Sequence, residues 1–67
     1  MSVAKVIEIT ASSGKSIDDA VKKGLSKTAE SVKNIKGAWI SDIKVATRDD
    51  GTITEWRVGM HVSFVVK

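Results

Sequence analysis

From Thr52 to Lys67 the chain reads TITEWRVGMHVSFVVK, with Trp56, Val58, Met60, Val62, Phe64 and Val66 at every second position. Between them stand Glu55, Arg57, Gly59, His61 and Ser63, which are polar or small. Alternation kept up over this length is a strand pattern, because successive side chains leave a pleated strand on opposite faces. The even set makes one continuous apolar face. The odd set makes a wetter face that can carry function. Every other element has to pair with this strand or cover its apolar side.

The preceding segments supply those partners. Val3 to Thr10 (VAKVIEIT) is rich in β-branched residues and reads as a strand. Ala11 to Lys15 (ASSGK) is small and polar and reads as a loop, without the full spacing of a phosphate-binding loop. Ser16 is a good N-cap, and Asp18 and Asp19 suit the positive end of a helix dipole. Ile17, Ala20, Val21, Leu25, Thr28, Ala29, Val32 and Ile35 then recur at steps of three and four, an apolar helical stripe. Gly24 within it suggests close packing, and Gly37 is expected to end the helix in the left-handed conformation. Ala38 to Arg48 (AWISDIKVATR) returns to β character, with Trp39, Ser41, Ile43, Val45 and Thr47 expected on one face and Ala38, Ile40, Asp42, Lys44 and Ala46 on the other. Asp49, Asp50 and Gly51 signal a tight hairpin.

The order strand, helix, strand, hairpin, strand defines an α+β fold. A helical crossover leaves the first two strands pointing the same way, and the hairpin reverses the last, which fits between them. The expected sheet is three-stranded and antiparallel with order 1-3-2, and the helix covers one face. Residues 1–67 make a single domain. A chain of 67 residues without cysteine has neither a disulfide nor a Cys/His zinc cluster to staple it, so oligomerisation is the remaining device. The net charge of +3 is spread along the chain and forms no dense basic stripe of the kind nucleic acid requires. With neither a signal-like leader after Met1 nor an apolar run of spanning length, a soluble cytoplasmic protein without membrane partners is expected.

No catalytic constellation stands out. His61 is the single histidine, and nothing at a recognisable spacing forms a nucleophile, base and orienting acid, so an enzyme is not expected. His61 reads as a polar or subunit-lining residue. Trp56 belongs to the apolar set, whereas Trp39 is either an interface anchor or a platform on which a planar ligand stacks. Arg57 can meet a phosphate or carboxylate of such a ligand, or can form an ion pair with Asp42, Glu55 or another acid.

The segments KVIEITASSGKSIDDAV (Lys5 to Val21), VKNIKG (Val32 to Gly37) and WRVGMHVSF (Trp56 to Phe64) together resemble the dodecin family over nearly the whole chain. The resemblance implies a β-α-β-β subunit whose sheet partly wraps its helix, assembled as a hollow homododecamer of cubic symmetry. It also implies a non-enzymatic role in binding, storing or buffering a flavin such as riboflavin or FMN, stacked between aromatic side chains near twofold axes. The cofactor-binding candidates are Trp39, Arg57, Gly37 and Ser41. Two of them depart from the family pattern: the stacking Trp position falls on Gly37, and the Gln that contacts the ring edge falls on Arg57. Trp39 shares strand parity with residue 37 and can face the same cleft, but Arg57 cannot accept hydrogen bonds as Gln does. The alternative is a structural shell that has lost flavin and holds ions or other small ligands between subunits through Asp42, Asp49, Asp50 or His61.

Overall fold

The computed structural model describes residues 3–66. Strand β1 runs Val3–Ser13, helix α1 Ile17–Ala29, strand β2 Ile35–Thr47 and strand β3 Ile53–Val66. The sheet is antiparallel throughout and its order is β1-β3-β2, as the crossover and hairpin require. The end of the predicted last strand, Lys67, lies outside the described residues.

The core lies where α1 meets the even side of β3. Val58, Met60 and Val62 are fully buried with Ala20 of the helix, and Ile7, Ile9, Ala11, Ile17, Val21, Leu25 and Ile35 pack around them. A Cβ at Gly24 would stand 2.8 Å from both the Ala11 Cβ and the Met60 methyl. Glycine is therefore what lets the helix lie this close to β1 and β3. Ser16 caps the helix by accepting a hydrogen bond from the Asp19 N–H at 3.0 Å. The Asp19 carboxylate accepts in turn from the Ser13 hydroxyl and pairs with Lys23, and these contacts, Ser13 first, hold its pKa below the usual aspartate value.

Three boundaries differ from the sequence expectation. The Ala11–Lys15 loop is shorter than expected, because β1 continues to Ser13, pairing Ala11 with Val58, Ser12 with Arg57 and Ser13 with Trp56. A long partner strand keeps supplying hydrogen bonds, and small polar residues accept them. The helix ends at Ala29 and not near Gly37, and the left-handed residue is Asn34 (φ 63°). Asn tolerates that conformation better than most residues. Gly37 lies inside β2 beside Ser63, whose hydroxyl donates to the Gly37 carbonyl. At the hairpin, Gly51 (φ 88°) follows a turn in which its N–H reaches the Arg48 carbonyl at 2.9 Å. This is a type I turn closed by a left-handed glycine.

A further correction concerns the faces of β2. The register shifts between Ile35 and Gly37 and again between Ile40 and Asp42, leaving Lys36 and Ser41 as bulged residues. Ile40, Ile43 and Val45 stand opposite Met60, Val58 and Trp56 on the helix side, while Trp39, Asp42 and Lys44 stand opposite His61, Gly59 and Arg57 on the other. Ile43 and Val45 thus do not share a face with Trp39. A bulge puts two residues against one and reverses side-chain parity beyond it.

The chain is elongated, 53 × 19 × 14 Å, with a radius of gyration of 13.9 Å. A compact chain of this length would have about 11 Å. A 13-residue helix is about 20 Å long, whereas a 14-residue strand extends about 45 Å. The helix packs on β1 and β3 and leaves β2 beside it. Among the described residues no helix is long and apolar enough to cross a membrane.

Candidate functional site

The face of the sheet away from α1 carries polar residues from all three strands. Register places Glu8 of β1, His61 of β3 and Trp39 of β2 in one row across it. Trp39 and His61 are stacked, with ring centroids 4.8 Å apart and planes 8° from parallel. That separation equals the spacing of adjacent strands, about 4.8 Å, so both rings stand upright from the sheet and face one another along the row. On its far side His61 places Nε2 3.0 Å from the Glu8 carboxylate. The other ring nitrogen, Nδ1, is buried without a hydrogen-bond partner.

β2 is an edge strand, and one indole face is covered from the β3 side. The second face therefore looks outward, past the open edge, and Trp39 is 53% exposed. Gly37, two residues along the strand, projects no side chain beside it. Together they make a flat aromatic wall with clear space before it. Stacking on such a wall is available to any planar ring and is favourable in offset geometry.

Next to this row is an open concavity of about 400 Å³ lined by Glu8, Thr10, Ser41, Asp42, Lys44 and Gly59. Its floor exists because residue 59 is glycine: a Cβ there would overlap the Asp42 carboxylate. Asp42 pairs with Lys44 at 3.6 Å, and the Ser41 hydroxyl donates to the Gly59 carbonyl at 3.1 Å. Ser41 thus secures the bulge and has its proton engaged. Among the described residues no three or more His, Cys, Asp or Glu side chains converge to hold a metal ion.

Arg57 shares the face with Trp39, but it lies four positions before His61 on β3, about 13 Å along the strand. Its Nε is bonded to Glu55 at 2.7 Å, one of the acids expected, and it stands between Ser12 and Lys44 in the register. Of the four sequence-predicted residues, Trp39 and Gly37 are adjacent, Ser41 serves the backbone, and Arg57 is remote from the ring. The row also contains Glu8, which the sequence reading passed over, and gives His61 a defined partner on each side. A signal was present: with β3 central, its odd positions lie between residues of both neighbours, and aligning the apolar sets of β1 and β3 sets Glu8 against His61.

Residues 3–67 match the family model named Dodecin. No curated protein sequence matches the chain. Among solved structures, a dodecin from Streptomyces davaonensis is 23% identical, with a TM-score of 0.91 over 98% of this chain and 96% of that one. A substituted form of the Thermus thermophilus dodecin is 18% identical, with a TM-score of 0.92 over 100% and 98%. A calcium dodecin of Mycobacterium tuberculosis, described as a calcium-chelating immunodominant antigen with a novel calcium-binding site, is 29% identical, with a TM-score of 0.82 over 97% and 91%. The first two likenesses establish the fold, and the family model, which spans all but the first two residues, establishes more: the chain belongs to the dodecin family.

Proposed function

We propose that the chain is the subunit of a dodecin-type homo-oligomer that binds and stores a planar aromatic ligand of the flavin class, riboflavin or FMN, without transforming it, in the cytoplasm. The observation that carries this is the Trp39 indole, set flat against His61 with its other face open beyond the sheet edge. In a homo-oligomer a second copy of that wall across a symmetry axis would close an aromatic slot. The elongated shape and the bare apolar surface of β2 support the assembly. Arg57 offers a cation at a distance that suits a ligand's tail better than its ring edge.

Titration of the purified protein with riboflavin and with FMN tests the reading. Flavin fluorescence should be quenched at micromolar protein, and Trp39→Ala should abolish the quenching while the elution volume of the oligomer stays the same. Unquenched flavin with wild-type protein would remove the flavin assignment.

A second reading is a shell that holds cations between subunits. It draws on Glu8 and Asp42, which line one concavity, and on the calcium dodecin among the similar structures. Since the described residues of one chain do not assemble a ligand set, a neighbouring subunit would have to complete it. Calcium would then raise the thermal midpoint of wild type but not of Asp42→Asn, and Trp39→Ala would break the oligomer.

A further inference from the structure

An exposed tryptophan on an edge strand would ordinarily sample several rotamers, and fixing one on binding costs affinity. In this chain one indole face is already occupied by an imidazole 4.8 Å away. That imidazole is only 28% exposed and has its Nε2 3.0 Å from Glu8. We propose that His61, held by Glu8, is the positioning residue of the Trp39 platform: it fixes the indole upright before a ligand arrives, and its proton tunes the affinity of the free face. This rests on the reading of Trp39 as a stacking surface, and it adds two residues that act through the indole without touching the ligand.

The chemistry follows from the two ring nitrogens. With Nε2 toward a carboxylate, the neutral imidazole carries its hydrogen there and leaves Nδ1 as an acceptor. Nδ1 is buried and has no partner, so a second proton would sit on a nitrogen without an acceptor. It would also put a positive charge against the inner face of the indole. A cation draws on the negative π face of the ring it contacts. The outer face then becomes a poorer partner for an electron-poor ring such as isoalloxazine. Affinity should therefore be lower with the imidazolium than with the neutral ring.

The charges around His61 come from two strands. Glu8 on β1 faces it directly, while Asp42 and Lys44 on β2 lie one step along the sheet, around the concavity next to Glu8, and pair with each other. Helix α1 packs on the opposite side of the sheet and sets no charge against the ring.

The test uses the assembled protein with Trp56→Phe, so that Trp39 is the only tryptophan emitting. Because a protonated imidazole in contact with indole quenches its emission, Trp39 fluorescence should drop on acidification. In His61→Phe, which keeps a stacked ring but has no proton to gain, the drop should vanish. Riboflavin affinity should fall by up to about tenfold in His61→Ala, the scale of one newly mobile side chain. Glu8→Ala should show part of that loss. His61→Phe should restore affinity and make it independent of pH, which a merely structural role for His61 would not produce. Trp39 emission indifferent to pH, together with wild-type affinity in His61→Ala, overturns the proposal. If wild type binds no riboflavin, the stacking function fails separately, and the ligand-free fluorescence still decides for or against the brace. Elution volumes of all variants confirm that assembly is intact.

Discussion

Val58, Met60 and Val62 of β3 and Ile40, Ile43 and Val45 of β2 lie side by side on one face of one sheet, Ile40 paired with Met60 and Ile43 with Val58. The first three are fully buried; the second three are 45%, 48% and 48% exposed. Their chemistry is nearly the same. What separates them is the reach of α1, which lies over β1 and β3 and is less than half as long as β2 and β3. Burial in this fold is thus decided by which strand a residue occupies, and the apolar surface left on β2 is more than a monomer carries comfortably. One half of the face stabilises the subunit, and the other half is suited to a neighbouring copy.

Substitutions can separate the two halves. Met60→Ala removes the largest fully buried side chain and should cost about 2–5 kcal/mol, measured by denaturant unfolding at fixed protein concentration. Gly24→Val places a side chain where Ala11 and Met60 already meet, and overpacking of this kind costs about 1–3 kcal/mol. A neutral result there would show that the helix can lift off the sheet freely. Ile43→Asp should leave far-UV circular dichroism and the local fold intact yet shift the protein to a smaller species on size-exclusion chromatography. An unchanged oligomer would show that this patch is not what holds the copies together.

The smallest effect is electrostatic, and each half has one instance. Asp19 at the helix start has its pKa lowered by the Ser13 hydroxyl and by Lys23, and Asp50 at the hairpin tip by the hydroxyl and N–H of Thr52. Groups lowered on folding contribute stability above the usual aspartate value of 3.8, and that contribution is lost as pH falls through the lower folded value. Thermal midpoints of wild type should therefore decline at acid pH, and Asp19→Asn and Asp50→Asn should each flatten the decline slightly. If the covered half governs stability, the Asp19 variant should flatten it more.

The elements were legible in the sequence where a side chain reports its own surroundings. The even row of β3 announced a core strand, Ser16 a helix start, Gly51 a left-handed turn and Gly24 a close approach. The strand order followed from connectivity alone. The end of the helix was not legible, because Val32 and Ile35 continue its spacing for another reason: Ile35 returns to the core as the first residue of β2, opposite Phe64. Nor were the two bulges of β2, since an unpaired backbone residue leaves no mark on side-chain chemistry. In the row of Glu8, His61 and Trp39, the Glu8 and His61 pair could be had from the apolar sets of β1 and β3, whereas the place of Trp39 depends on the bulges of β2. Trp39 and Arg57 did share the expected wet face, though not the same point on it.

Ser41 gives β2 one residue more than β3 at its level, and two-residue periodicity turns that surplus into a choice of side. Carried past Ser41 without the bulge, so that Ser41 paired with Met60, the register that joins Ile43 to Val58 would bring Trp39 opposite Val62 and point the indole toward the helix. Pairing Ser41 into the ladder would thus turn the outward aromatic wall toward the helix, whereas deleting it would close the bulge and leave Trp39 opposite His61. Whether one residue of this strand is bulged or paired is a discrete step by which a chain of this architecture acquires or abandons a stacking surface.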